Sequence, residues 1–205
     1  FDKPWEECRG MGFSFGYNQN EDLEDYATPQ ALILTLVNIV SKGGNLLLDI
    51  GPTANGKIPP IMQERLLQMG EWLKINGEAI YGTRRWKHVN QWSSGDRNWK
   101  YNGKYYVGGN AILKQTVDPD PGYAVQEVFF TSKGDNIYAI LPKYLKSIVL
   151  KDIHSTSQTK ISLLGCDKEV EWKQEKDNIR ITMPFLSFEE LPCNYAWTLK
   201  LEKVK

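Results

Sequence analysis

The hydrophobic pattern of this 205-residue chain changes near Thr83, and the change limits the folds that the chain can adopt. Before Thr83, apolar residues recur at helical spacing or form one short unbroken run. After Thr83, they alternate with polar residues in short segments that turn residues separate. Helices alternating with a buried strand are typical of α/β proteins, whereas many short alternating strands are typical of an antiparallel sandwich. The sequence therefore predicts two units of different fold class.

The first unit is predicted to begin with a helix and a strand. Thr28 followed by Pro29 is typical of a helix start, and Gly43 is typical of a helix end. The apolar run 45–50, which stops at Gly51, has the composition of a parallel strand that is covered on both faces.

A second helix is predicted to follow this strand. It begins after Pro59 and ends at about Gly77, since glycine commonly terminates helices. Its apolar residues recur at spacings of four, three and four: Met62, Leu66, Met69 and Leu73. Helix, buried strand and helix in this order are typical of an α/β barrel or of a doubly wound sheet.

The second unit is predicted to consist of seven short strands. Each combines β-branched or aromatic residues with alternating polar residues, and turn residues such as Asn102 and Gly103 separate neighbours. The predicted strands are Lys104–Val107, Val125–Thr131, Asn136–Leu141, Ser147–Leu150, Lys160–Leu164, Asn178–Met183 and Ala196–Leu201. Short strands at this spacing predict an all-β antiparallel sandwich.

Charge and hydropathy exclude two classes of partner. Lysine and arginine together number 25, as do aspartate and glutamate, so the formal net charge is zero. A nucleic-acid binder needs a basic excess or a basic stripe, and the sequence has neither. The longest apolar run, 31–40, is far shorter than the ~20 residues of a membrane-spanning helix. We therefore expect neither nucleic acid nor a membrane as a partner.

Cysteine and histidine are too sparse for a predicted metal site. Cys8, Cys166 and Cys193 match no zinc-ligand spacing and have no histidine near them, so we predict three buried free thiols. The sequence has two histidines, His88 and His154, and no Gly-X-Ser-X-Gly motif, so serine–histidine catalysis is not expected. No metal and no organic cofactor is predicted.

Carboxylates and aromatic residues remain as candidates for chemistry. Segment 5–9 reads Trp-Glu-Glu-Cys-Arg, and segment 13–18 reads Phe-Ser-Phe-Gly-Tyr-Asn. A sugar site needs this mixture, because acids act on the glycosidic oxygen while aromatic rings cover the apolar face of the sugar. The alternative is an aromatic loop that only fills a core.

Several segments resemble the retaining α-L-fucosidases of glycoside hydrolase family 29. They are 5–8, 14–18, 40–52 and 76–83, in the order and at the spacing of that family. The resemblance is strong over the first 86 residues and continues weakly to 196–201. It implies that residues 1–86 form the C-terminal part of a catalytic (β/α)8-like barrel, and that residues 87–205 form a C-terminal β-sandwich domain.

The resemblance also implies a reaction. Members of the family hydrolyse terminal α-L-fucosides with retention through a glycosyl-enzyme intermediate, and their nucleophile is an aspartate on a middle barrel strand. That strand precedes the region matched here, so this chain alone is expected to be inactive and to need the N-terminal barrel portion of the same enzyme. Fucosylated glycans are the expected substrates. The expected location is periplasmic or secreted for a bacterial source, which the lack of Asn-X-Ser/Thr acceptors favours, or lysosomal for a eukaryotic one.

The resemblance points to three candidate site residues. Glu6 resembles a residue considered as the general acid/base in some members, and its alternative is a buried structural carboxylate. Phe15 stands where members carry Phe or Trp against the apolar side of fucose, near the C5 methyl. Trp5 is a candidate substrate-binding residue, with packing as its alternative. Asp49 stands where the family usually has asparagine, so a structural role is expected for it.

A non-catalytic carbohydrate-binding or scaffold module is the alternative to an enzyme. Five aromatic residues of the second unit could form a sugar-binding face or could fill the core and the domain interface: Trp92, Trp99, Tyr101, Tyr105 and Tyr106. Such a module has no need of a buried barrel strand. The predicted strand at 45–50 therefore favours the enzyme.

Overall fold

The computed structural model describes residues 3–100 and 111–205 and is mostly β-strand. The helices are α1 (Pro29–Ser41), α2 (Pro60–Asn76) and the single turn α3 (Ala111–Lys114). The strands are β1 (Trp5–Gly10), β2 (Gly44–Asp49), β3 (Arg84–Trp92), β4 (Gln126–Lys133), β5 (Asn136–Leu141), β6 (Ser147–Leu150), β7 (Lys160–Leu163), β8 (Glu171–Glu175), β9 (Asn178–Thr182) and β10 (Trp197–Glu202). They form a two-stranded, a five-stranded and a three-stranded sheet.

The first unit is a parallel β1–β2 pair with α1 between its strands in the chain and α2 after them. The Thr28 hydroxyl accepts a hydrogen bond from the Ala31 amide at 3.2 Å and caps α1. Both predicted helices are confirmed. The buried face of α2 differs from the prediction, since Trp72 is fully buried whereas Leu66 is exposed.

The five-stranded sheet has the order β3-β4-β5-β10-β7 and is antiparallel throughout. Its central strands are buried on both faces, because successive side chains point in opposite directions. Phe129 and Tyr138 belong to a core shared with α1 and α2. Phe130 and Ala139, the next residues along β4 and β5, belong to a second core on the other face.

The second core lies between the five-stranded sheet and the three-stranded sheet, whose order is β6-β9-β8. Leu150 of β6 and Ile179 and Ile181 of β9 are buried in it opposite Phe130. Two antiparallel sheets around one apolar layer form a β-sandwich. The predicted sandwich is confirmed.

Two strands of the sandwich were not predicted. β8 reads Glu-Trp-Lys-Gln-Glu with mostly exposed side chains, so it lacks an alternating apolar pattern. It is held by pairing with β9 and by Glu175, which bonds Arg180 at 2.9 Å and whose pKa the Arg180 and Lys173 side chains lower to about 2. β3 begins at Arg84 in a stretch rich in charged and polar residues.

Because β3 pairs with β4, the predicted boundary between residues 86 and 87 falls within a strand. Where the two domains divide stays a prediction. The predicted strand at 104–107 lies outside the described residues.

Two predictions about burial are wrong. Leu48 of β2 packs with the core of α1, but Leu47, on the opposite face of the strand, is 50% exposed, so β2 is covered on one face. Cys8 pairs with Leu47 in the β1–β2 register and is exposed on the same open face. Cys166 and Cys193 are only half-buried, although all three thiols are free.

Candidate functional site

The carboxyl ends of β1 and β2 meet at one edge, where Gly10 pairs with Asp49. In α/β proteins, the loops that leave this edge of a parallel sheet build the binding site. The loop after β1, residues 11–22, presents three aromatic side chains: Phe13 is 42% exposed, Phe15 52% and Tyr17 46%. We call residues 11–22 the aromatic loop, and it is the candidate site.

Hydrogen bonds hold the aromatic loop in place. The Glu21 carboxylate accepts a bond from the Ser14 amide at 2.6 Å, and the Asn18 carboxamide donates to the Ser14 hydroxyl at 3.0 Å. The Ala27 amide donates to the Met11 carbonyl at 2.8 Å and closes the base of the loop. A bond to an ionised group contributes about 1.5–3 kcal/mol, more than a neutral one. Glu21 is therefore the strongest anchor of the loop.

The environment of Glu21 also affects Tyr26, which is buried at the base of the loop. Burial, and after it the nearby Glu21 carboxylate, raise the pKa of the Tyr26 phenol. Both effects disfavour the ionised phenolate. A phenol is already protonated at neutral pH, and these effects hold Tyr26 further from ionisation beside Glu21.

Two glycines let the aromatic loop fold back over the strand ends. A β-carbon at Gly51, which follows β2, would lie 2.3 Å from the Tyr17 backbone nitrogen. A β-carbon at Gly10 would lie 2.7 Å from the Ser14 carbonyl oxygen. Any larger residue at either position would push the loop away from the edge. The two glycines thus allow the backbone on either side of Phe15 to lie close to the ends of the strands.

Glu6 lies on the open face of the strand pair. It faces the same side as Cys8, because the two residues are separated by one strand period, and its register partner is Asn45. Its side chain is exposed and makes no hydrogen bond within the described ranges 3–100 and 111–205. Both interpretations of Glu6, as general acid/base and as a structural carboxylate, stay predictions.

The neighbouring acid Glu7 has a different environment. It faces the α1 side of the pair and forms an ion pair with Arg9. Burial lowers the pKa of the nearby Lys42, and the Glu7 carboxylate partly opposes that effect. Glu7 is half-buried in this charged group.

Trp5 lies at the other end of β1 from the aromatic loop. Its indole packs on Gly44, where a β-carbon would come within 2.5 Å of the ring, and its Nε1 donates to the Lys42 carbonyl at 3.4 Å. The strand rises about 17 Å between Trp5 and Gly10 at ~3.3 Å per residue. The structure therefore does not bring Trp5 and Phe15 together.

Asp49 shares the open face with Glu6, because it pairs with Gly10 four positions further along the sheet. That offset corresponds to roughly 13 Å of strand rise. The two carboxylates therefore lie at different levels of the face and do not form a close pair. An exposed carboxylate on this face can transfer a proton, and the exposed rings of the loop can contact a sugar, but one carboxylate cannot complete a two-carboxylate reaction.

The aromatic residues of the sandwich that the structure describes have contacts within the chain. Arg97 lies over the Trp92 ring at 5.7 Å, and the Trp99 indole donates to Asp120 at 2.9 Å. Tyr101, Tyr105 and Tyr106 lie outside the described residues. Trp92 and Trp99 both have partners within the chain, so they do not form a face of unpartnered rings for a sugar.

Among residues 3–100 and 111–205, no three His, Cys, Asp or Glu side chains gather closely enough to hold a metal ion. Over the same ranges, every helix is too short or too polar to cross a bilayer.

Known proteins are similar to both units of the chain. The family model described as alpha-L-fucosidase matches residues 1–78, and the model described as alpha-L-fucosidase C-terminal domain matches residues 123–202. The plasma alpha-L-fucosidase of Rattus norvegicus is 38% identical over 207 residues, and the tissue alpha-L-fucosidase of Homo sapiens is 38% identical over 208. These matches cover 98% and 100% of the chain, but the chain spans only 38% of the length of each relative.

A solved structure gives the same result. The alpha-fucosidase of Thermotoga maritima in complex with fucose is similar over 98% of this chain and 40% of its own, with a TM-score of 0.71 and 32% identity. The similarity thus extends across the parallel strand pair and the sandwich together.

Replacing Glu21 with alanine is expected to free the aromatic loop. The Ser14 amide loses its acceptor, so hydrogen exchange within residues 11–20 should accelerate about 10-fold or more, the factor that ~1.4 kcal/mol sets. Exchange is measured by mass spectrometry on the full-length protein. Glu24→Ala is the matched control, because it removes an exposed acid from the same stretch and should leave exchange unchanged. Equal acceleration in both variants, or none in Glu21→Ala, contradicts the anchoring role.

Proposed function

The chain belongs to the α-L-fucosidase family, of which it covers the C-terminal portion, and on this premise we propose that the whole protein is a retaining exo-α-L-fucosidase. It hydrolyses terminal α-L-fucosides of fucosylated glycans through a glycosyl-enzyme intermediate. The observation that carries the proposal is the match of two fucosidase models, in order, to the α/β unit and to the sandwich. The exposed aromatic loop supports it, because barrel enzymes bind substrate at the carboxyl ends of their strands.

The parallel strand pair favours this enzyme over a non-catalytic binding or scaffold module. We assign β1–α1 and β2–α2 to the last two units of a (β/α)8-like barrel. Barrel helices cover the outside of the strands, and the opposite face lines the interior. Glu6, Cys8 and Leu47 lie on the face that α1 leaves open. The partner proposed for that face is the N-terminal barrel portion of the same protein.

Glu6 is the carboxylate that this chain contributes in the proposed mechanism. Retention needs two carboxyl groups about 5 Å apart, one as nucleophile and one as acid and then base. Glu6 and Asp49 are too far apart to be that pair, so the nucleophilic aspartate is assigned to the N-terminal barrel portion. Glu6 then donates its proton to the glycosidic oxygen as the bond breaks, and later accepts a proton from the attacking water. This mechanism needs no metal and no organic cofactor.

Phe15 is the proposed contact for the sugar. An exposed ring at the strand edge can cover the apolar side of fucose, where a C5 methyl replaces the hydroxymethyl of galactose. Burying one methyl-sized group contributes about 0.8 kcal/mol, so the ring favours the deoxy sugar modestly. The Trp5 indole packs against Gly44, so the proposal assigns Trp5 a packing role.

The protein is proposed to act outside the cytosol, in the periplasm or secreted for a bacterial source, or in the lysosome for a eukaryotic one. A relative named a plasma alpha-L-fucosidase supports secretion.

The full-length protein is expected to release phenol from an aryl α-L-fucoside, whereas residues 1–205 alone should not. The lone chain lacks the proposed nucleophile and leaves Leu47 uncovered. Release is measured spectrophotometrically, and NMR of the first-formed sugar reports the anomer. Turnover that copurifies with the lone chain would show that the nucleophile lies within it, while β-fucose as first product would exclude retention.

Glu6→Gln in the full-length protein should lower kcat by about 100-fold to 10,000-fold for substrates with poor leaving groups. With an activated aryl fucoside, azide should restore turnover, because a small anion can attack the glycosyl-enzyme without a general base. Glu7→Gln is the matched control, since it removes a neighbouring acid on the other face. If azide has no effect and the melting temperature falls, Glu6 is structural.

Phe15→Ala should narrow the preference for aryl α-L-fucoside over aryl α-L-galactoside. The expected change in the ratio of kcat/KM values is about 4-fold, the factor that ~0.8 kcal/mol sets, with roughly 10-fold to 200-fold as the upper limit for one apolar contact. Phe15→Trp should retain the preference, and Phe13→Ala, in the same loop, serves as the matched control. An unchanged ratio combined with a large loss of thermal stability would identify Phe15 as a packing residue.

A further inference from the structure

A cleft lies between α2 and the segment that precedes β10, with Trp72 and Cys193 among its lining residues. The other lining side chains that matter here are Gln68 and Glu71 from α2, and Phe188, Asn194 and Tyr195 from the segment. The cleft thus combines aromatic rings with carboxamides and a carboxylate. Nothing in the proposed fucosidase reaction uses these residues.

Three hydrogen bonds make the walls of this cleft rigid. The buried Trp72 indole donates to the Ala196 carbonyl at 2.8 Å. The Asn76 carboxamide donates to the Cys193 sulfur at 3.4 Å, and the Gln30 carboxamide donates to the Tyr195 carbonyl at 3.1 Å. The segment is therefore fixed to both helices.

Tyr195 adopts a backbone conformation that needs such support. Its φ is 75°, in the left-handed region that a residue with a β-carbon adopts only at an energetic cost. Such conformations persist where the surroundings determine them, and they cluster at functional sites. The surrounding contacts therefore hold the backbone of Tyr195 in one conformation at the cleft wall.

Phe188 stands at the rim on a short, braced turn. The turn Phe188–Glu190 is a single 3-10 turn, and the Ser187 amide donates to the Glu190 carboxylate at 2.8 Å. Lys168 pairs with the same carboxylate at 2.8 Å and lowers its pKa to about 2, so the brace is charged at neutral pH. The Phe188 side chain is nevertheless 86% exposed. The turn therefore fixes the backbone of Phe188 while its ring remains exposed to solvent.

We propose that this cleft binds a neutral sugar ring of a glycan. The exposed Phe188 face covers the apolar C–H side of a pyranose, and the free carboxylate of Glu71 and carboxamide of Asn194 bond its hydroxyls. Neither Glu71 nor Asn194 makes a side-chain hydrogen bond within residues 3–100 and 111–205, so both can serve a ligand. An aromatic surface with a few convergent polar groups is the usual composition of a small-molecule site.

A protein partner fits this cleft less well. The cores of protein interfaces are depleted of charged residues, yet Glu71 lines the cleft and Glu189 follows the exposed ring. A sugar is polar on its edge and apolar on its face, and it satisfies both kinds of group at once.

Binding is tested with N-acetyllactosamine, a disaccharide without fucose, so that the result does not depend on the proposed hydrolysis. Saturation-transfer NMR and isothermal titration calorimetry on the full-length protein should show binding with Kd of about 1 mM, as one shallow subsite supports. Phe188→Ala should weaken binding about 10-fold or more, equivalent to at least ~1.4 kcal/mol. Because the ring is exposed, this variant should fold normally.

Phe185→Ala is the matched control. Phe185 is 89% exposed near the same turn but does not line the cleft, so its loss should leave binding unchanged. Glu71→Gln should also weaken binding while leaving the melting temperature unchanged. Three results would overturn the proposal: no binding by the wild type, equal affinity in Phe188→Ala, or equal losses in Phe185→Ala and Phe188→Ala. A shift from oligomer to monomer in both phenylalanine variants, seen by sedimentation, would make the turn an interface between copies and would equally overturn it.

Discussion

Phe129 and Phe130 are adjacent in β4, yet their side chains are buried in different hydrophobic cores. Phe130 joins the layer between the two antiparallel sheets, and Phe129 joins the layer that contains α1 and α2. Truncating a buried phenylalanine to alanine costs about 3–5 kcal/mol, a large share of the ~5–15 kcal/mol that stabilises a typical domain. The sandwich and the helical layer are therefore one cooperative structure, joined through a shared sheet.

The geometry of the candidate site depends on that shared sheet. α1 packs on the sheet through the Phe129 layer and also on Leu48 of β2, so it sets the position of the parallel pair. The strand ends then carry the aromatic loop, which Gly10 and Gly51 allow to lie close and Glu21 holds. Sandwich packing is thus transmitted to Phe15 through a helix, a strand and a loop.

Local signals were sufficient to predict much of this fold from the sequence. The Thr28 hydroxyl caps α1 by accepting from the Ala31 amide, and the nearly unbroken apolar run of β5 agrees with its burial on two faces. The strand β8 could not be predicted, because it is held by backbone pairing and one cross-strand ion pair with β9 instead of by apolar alternation. Whether a segment forms a strand depends on its neighbours in the sheet, which are distant in sequence, so local β-propensity is a weak guide.

The candidate site was less predictable than the fold, for a related reason. The aromatic residues of the loop could be listed from sequence, but the anchoring of Ser14 by Glu21 depends on how the loop turns back. Trp5 and Phe15 are separated because residues 5–10 form an extended strand, and that strand is established only by its pairing with β2. Glu21 lies seven residues from the Ser14 amide that it binds, and no sequence motif links an acid to an amide at that spacing, so Glu21 had no distinguishing signal.

The position of β10 has a consequence for how the chain is made on the ribosome. β10 is the last strand of this chain, yet it lies between β5 and β7 inside the five-stranded sheet. The carbonyls of Tyr195 and Ala196, just before it, are the acceptors that fix α1 and α2. Until those residues leave the exit tunnel, β5 and β7 cannot pair across the gap and both helices lack their bonds. The segments before β10 therefore stay incompletely folded and accessible to chaperones until β10 emerges, and a frameshift just before Tyr195 would remove a strand from inside the sheet.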